Sequence, residues 1–141
     1  MVDKKENLQI KRIYEEPSLD DGFRVLVDRL WPRGVKKERA NIDLWLKEVA
    51  PSPELRKWFC HKEERFPEFR KHYLDELQTD PLHQAQVEIL QQKLKEGRVT
   101  LLYAAKDEKH NHAIVLYEFL QSTLSNQSQI KSDSKTLRNQ Q

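Results

Sequence analysis

Phe23 to Asp28 reads FRVLVD, and Val99 to Ala105 reads VTLLYAA. Both runs are rich in β-branched residues and apolar on both parities, as strands covered on two faces are. The first runs into WPRG (Trp31 to Gly34). Pro32 holds Trp31 out of the helical region and Gly34 admits positive φ, so the strand ends in a shaped loop. A long helical excursion separates the two runs, which implies a parallel crossover, right-handed by default.

Outward from this pair, LQIKRIY (Leu8 to Tyr14) alternates Leu8 and Ile10, then less regularly Ile13, and reads as an edge or second-from-edge strand. EEPSLDDG is a turn-rich connector. Asn41 is a good N-cap, and Ile42, Trp45, Leu46 and Val49 repeat at helical spacing after it, predicting a short helix that Pro51 ends. Ser52 then caps a second helix, with Pro53 in its first position and Leu55, Trp58 and Phe59 on its apolar side. Phe66, Phe69, Tyr73 and Leu77 mark a third helix. Asp80-Pro81 opens a fourth, with Leu82, Val87, Leu90 and Leu94 inward and Gly97 as its stop. Trp45, Trp58, Phe66, Phe69 and Tyr73 are expected in the core. A last helical stripe, Ala113, Leu116, Leu120 and Leu124, begins near His112. The predicted fold is α/β: a small, mostly parallel sheet of about three or four strands flanked by helices. It forms a single domain over residues 1–124, ordered from about residue 6, and a disordered polar tail occupies 125–141.

The 141 residues suit one domain. The formal charge of +2 equals the excess carried by the tail, where Lys131, Lys135 and Arg138 face Asp133. The body is therefore neutral, which argues against a broad nucleic-acid footprint. Charge is nonetheless uneven within it: Arg24, Arg29, Arg33, Lys36, Lys37 and Arg39 face only Asp28 and Glu38 in residues 24–39. Cys60 is the single cysteine, so an internal disulfide and cysteine-rich zinc sites are excluded. No apolar run approaches the roughly 18–20 residues that span a bilayer, and MVDKKENLQI lacks the apolar stretch of a secretory signal. A cytoplasmic protein with no membrane partner is expected.

Ligands of open α/β sheets gather beyond the carboxyl ends of the strands. One buried strand ends Asp28-Arg29-Leu30-Trp31-Pro32-Arg33-Gly34; the other ends Lys106-Asp107-Glu108-Lys109-His110-Asn111 and enters a helix. Parallel strands put both loops on one edge. Arg29, Arg33 and Lys106 would then surround the free N–H groups that open the last helix, a setting for phosphate or carboxylate. Asp28, Asp107 and His110 are the candidates for proton transfer. Asn111 would orient the ligand, Trp31 would wall the pocket, and His61 would reach the same edge. A plainer account makes these residues strand-end ion pairs and helix caps. The expected partner is a small anionic, possibly nucleotide-like ligand, bound by an enzyme or a binding protein.

Rival readings are weaker. Neighbouring Cys60 and His61 would point about 100° apart on a helix and so form no dyad. His110 and His112 lack the spacing of helical zinc pairs, and no metal is expected. With only Gly22, Gly34 and Gly97, the chain has no dinucleotide fingerprint or Walker loop, and no G-x-S-x-G elbow occurs, so no cofactor is expected. Nucleic-acid association through residues 24–39, with Trp31 stacking on a base, is the alternative partner. A non-catalytic interaction module through an exposed apolar patch is a third. Oligomeric state is not legible.

RVLVDRLWPRG (Arg24 to Gly34), DLWLKEVAPSPELRKWF (Asp43 to Phe59) with His61 after it, FRKHYLDEL (Phe69 to Leu77) and TLLYAAKDEKHNHAIVL (Thr100 to Leu116) occur in this order. Over residues 8–124 the chain resembles the YeaO-like proteins of domain of unknown function 488. The resemblance implies a small cytosolic bacterial or archaeal protein and carries no established activity. Members sometimes bear a transcription-regulator label, but no helix-turn-helix pattern occurs here. Relatives tend to follow the histidine with an Asp-Pro step, whereas this chain reads His61-Lys62-Glu63.

Overall fold

Successive side chains on a strand point to opposite faces, and the two central strands use this to build two cores. The computed structural model describes residues 7–124. In it β2 (Phe23–Leu26) lies parallel to β4 (Val99–Tyr103), with Val25 opposite Leu101 and Leu26 opposite Leu102. Val25, Val27, Leu101 and Tyr103 face one core; Leu26 and Leu102 face another. β1 (Leu8–Arg12) pairs with the far side of β4, and β3 (Leu44–Trp45) with the far side of β2. The sheet order is β1-β4-β2-β3, all parallel, so the fold is the α/β arrangement expected, with β1 at an edge.

The larger face is covered by helices. α2 (Pro53–Phe59) starts where Ser52 Oγ accepts from the Leu55 N–H. α3 (Phe66–Thr79) buries Phe69, Tyr73 and Leu77, and α4 (Pro81–Glu96) buries Val87, Leu90 and Leu94 before ending at Gly97. α5, residues 112–124, buries Ala113, Leu116, Leu120 and Leu124. The smaller face is covered by the loop after β2 and the short α1 (Lys37–Ala40): Trp31, Val35, Ala40 and Ile42 pack on Ile13, Leu26 and Leu102. Each fully buried Val or Leu contributes roughly 1.5–3 kcal/mol, so the central pair is held from both sides. No described helix is long and apolar enough to cross a membrane. The tail expected over 125–141 lies outside the described residues.

Residues 42–49 do not form the predicted helix. Asn41, expected as its N-cap, takes left-handed φ 49° and closes α1 instead. The free edge of β2 then captures the chain: Asp43 N–H bonds Arg24 O, Leu46 N–H bonds Leu26 O, and a 3-10 turn at Lys47–Val49 follows. Helical spacing would bury Leu46 and Val49 together; here the extended chain buries Leu46 and the 3-10 turn buries Val49, and the available edge decides between the two. The change brings Trp45 to the surface at 36% exposure. Trp58, also expected inside, is 40% exposed with Arg65 stacked over it. Leu82 is 51% exposed, and His83 takes the inward place. His83 does so because its ring reaches Ala50 O at 2.8 Å and the α4 cap residue Asp80 at 2.6 Å.

Arg24 is the one buried cation of β2. Its guanidinium faces Asp21, donates to Ala40 O at 2.9 Å and to Asn41 O at 3.0 Å, and so ties the end of α1 to the sheet. Burial works against the Asp21 charge, but the Ser18 N–H, Lys11 and Arg24 outweigh it and hold the carboxyl below its ordinary range. A lowered folded-state value contributes stability above the unfolded-state value, and that contribution is lost as pH falls through the folded one. Asp21→Asn should therefore cost about 3–5 kcal/mol in urea denaturation at neutral pH. The gap from the parent protein should close on acidification; a constant gap would contradict this account.

Candidate functional site

Parallel pairing brings the loops after β2 and β4 to one edge, and Asp28 fastens them there. Its Oδ2 accepts from the Ala104 N–H at 3.0 Å. Its Oδ1 is buried without a hydrogen bond of its own, 3.3 Å from His112 Nε2, which also lies 3.0 Å from Val27 O. The carboxylate expected to move protons thus clamps β2, β4 and the first turn of α5. Arg29 is spent likewise: its guanidinium lies 3.3 Å from Ala50 O, Pro51 O and Glu48 Oε2.

Arg29, Arg33 and Lys106, expected to hold an anion together, share no hydrogen-bond or ion-pair partner among the described residues. Arg33 is exposed between Trp31 and Val35, in the loop that covers the smaller face. Its carbonyl accepts from the Tyr14 hydroxyl at 3.0 Å. His110 instead lies against Phe66, which packs on the larger core, with ring centroids 5.2 Å apart. Alternation along β2 and β4 puts these two cores on opposite sides of the sheet. Lys106 remains exposed in the loop after β4. Trp31 is half-buried, and its indole N–H donates to Val35 O at 2.8 Å. Asn111 is buried and caps α5: Oδ1 accepts from the Ile114 N–H at 2.9 Å and Nδ2 donates to Asp107 O at 2.8 Å. His61 is exposed, with φ 55° following φ 48° at Cys60.

What the edge does bring together is Asp107, His110 and a residue the sequence reading passed over, Glu63. Asp107 Oδ1 accepts from the N–H groups of Lys109 and His110 at 2.9 and 3.0 Å, and Oδ2 meets His110 Nδ1 at 2.9 Å. The Lys109 N–H first, then the His110 ring and N–H, hold the Asp107 carboxyl below its ordinary range. His110 Nε2 lies 3.7 Å from Glu63 Oε1, beside a surface cleft of about 390 Å³ lined by Glu63, Glu64, Phe66, Pro67 and His110. An imidazole oriented by a carboxylate is the arrangement of a general base. One atom each of Glu63, Asp107 and His110 lie within 4.8 Å of one another, close enough to share a cation. Two carboxylates, Glu63 and Glu64, line the cleft beside His110.

The opposite side of the sheet gathers cations on indoles. Lys37 Nζ lies 6.0 Å from the Trp31 ring, Trp31 meets Trp45 edge-on at 5.4 Å, and Lys47 Nζ lies 5.4 Å from the Trp45 ring. Trp45 and Lys47 were missed because a helix would turn Trp45 inward. The signal for them was the strand alternation Leu44 in, Trp45 out.

The model of DUF488-N3i, described as the inactive DUF488-N3 subclade, matches residues 7–137. The chain belongs to the DUF488-N3i family. Among curated relatives, the uncharacterized protein YeaO of Escherichia coli K12 is 45% identical over 116 residues, covering 82% of this chain and 98% of its own. The uncharacterized protein Rv3073c of Mycobacterium tuberculosis H37Rv is 40% identical over 113 residues, covering 80% and 92%. No solved structure matches. The YeaO-like resemblance read from the motifs is thus a true kinship. Within this DUF488-N3i chain, the strand-end motifs Arg24 to Gly34 and Thr100 to Leu116 supply the Asp28 clamp and the Asn111 cap.

If Asn111 is a cap and Lys106 is a free surface charge, their substitutions separate. Asn111→Ala should cost about 0.5–2 kcal/mol and Lys106→Ala less than about 0.5 kcal/mol, read by chemical denaturation. Equal costs would contradict the assignment.

Proposed function

We propose that this DUF488-N3i protein binds a polyanionic chain through the loop-covered face of its sheet and performs no bond-breaking chemistry there. The observation that carries this reading is a local excess of cations. Arg33, Lys36, Lys37, Arg39 and Lys47 are all exposed in residues 33–47 and face only Glu38 and Asp43, whereas on the other side Glu63, Glu64, Asp107 and Glu108 alternate with Lys62, Arg65, Lys106 and Lys109. The overall balance of the body is therefore no guide to its local field. Exposed cations spread along residues 33–47 suit an extended chain of phosphates better than a small metabolite, because counterion release rewards many shallow contacts. The description of the family as an inactive subclade supports binding rather than turnover. So does the use of Asp28, Arg29 and Asn111 as clamps. Anisotropy with a labelled oligonucleotide should show affinity falling steeply with salt. Charge reversal at Lys36 and Arg39 should weaken binding and flatten the salt slope by about one per lost phosphate contact. Binding indifferent to salt, or to these substitutions, would remove the reading.

A second reading rests on the Asp107-oriented imidazole at the cleft. It makes the cleft a small-ligand site on the carboxyl edge. The surrounding carboxylates favour a ligand bearing a cationic group over the anion suggested by the sequence. A panel of amines and divalent cations at about 100 times Kd should stabilise the protein by about 2.7 kcal/mol, and His110→Ala should abolish the shift. Stabilisation that survives His110→Ala would contradict this reading.

A further inference from the structure

We infer that the polyanion is single-stranded nucleic acid and that Trp45 is the platform on which one of its bases stacks. This rests on the polyanion reading above and adds what no phosphate contact supplies, a requirement for an unpaired base. Trp45 sits on β3, a two-residue edge strand at one end of the sheet order. The residue is 36% exposed yet its ring is fixed in place: the indole N–H donates to Asp28 O at 2.7 Å, and the edge contact with Trp31 is inclined at 72°. An aromatic held in this way loses little freedom when a second ring lies on it.

The face of that ring is occupied in the free protein by the Lys47 ammonium, 5.4 Å from the centroid. An exposed cation–π contact of this kind is weaker than base–indole stacking. A base therefore displaces the ammonium, and Lys47, on a flexible stem, turns to the neighbouring phosphate. Lys37, Lys36, Arg39 and Arg33 continue the positive track from the Trp31 side. The acids nearby do not cancel it. Glu48 is paired with Arg29, which leaves Glu38 and Asp43 against five cations. Trp31 is not a second platform, because its ring is packed in the smaller core. A duplex keeps its bases stacked on one another and offers Trp45 no free π face, whereas any single strand does.

The test uses the full chain and three probes: a labelled oligothymidylate of about twelve nucleotides, the same strand paired with its complement, and inorganic polyphosphate as competitor. The single strand should bind about tenfold more tightly than the duplex, with quenching of tryptophan emission in a Trp58→Phe background. Trp45→Ala should lose about that factor, and Trp45→Phe should retain most of the affinity. The preference of the parent protein for the single strand and the quenching stand independently of whether Trp45→Ala folds. Equal binding of single strand, duplex and polyphosphate, with no quenching, would overturn the inference while leaving the polyanion reading intact. Failure of every probe, polyphosphate included, would remove both.

Discussion

β2 and β4 are apolar on both sides, and a strand pair of that kind must be covered twice. The rest of the molecule follows from that requirement. Val25, Val27, Leu101 and Tyr103 draw four helices onto one face, and Leu26 and Leu102 draw the loop after β2 and α1 onto the other. A segment that passes over one face cannot contribute a side chain to the other. The fate of Arg33 is settled by this exclusion, since Trp31 and Val35 on either side of it are committed to the smaller core.

The same constraint explains why polar groups at the carboxyl edge are structural. The strand ends and the first turn of α5 meet there with unpaired backbone groups, which cannot be left bare when buried. Asp28 accepts from Ala104, Arg29 meets the carbonyls of Ala50 and Pro51, Arg12 donates to Ala104 O and Ala105 O, and Asn111 caps α5. Side chains left free of such duties lie to either side of the edge, acids and bases alternating toward the helices and cations in excess toward the loop. The function proposed for this DUF488-N3i chain grows from that division, not from any single residue.

Elements with a long repeat were legible in the sequence. Phe69, Tyr73 and Leu77 on α3, Val87, Leu90 and Leu94 on α4, and the all-parallel pairing of β2 and β4 all follow from periodicity and connection length. Residues 42–49 were not, because eight residues with this apolar spacing fit a helix or an edge strand, and only the unpaired side of β2 chooses. That one ambiguity hid Trp45 from view. The candidate site was legible as an edge but not as a partnership. Glu63 precedes α3 and meets His110 only through the packing of α3 against the region where α5 begins. Sequence order also made Arg29, Arg33 and Lys106 look like neighbours, although it says nothing of which face a loop covers.

The central claim is that the cations of residues 33–47 make the loop-covered side of the sheet basic and that this side does the binding. Amide chemical-shift mapping during titration with a single-stranded oligonucleotide tests it most directly. Shifts should cluster in residues 31–47, with Glu63 to Pro67 and Asp107 to His110 unmoved. Shifts centred on His110, with residues 31–47 silent, would contradict it.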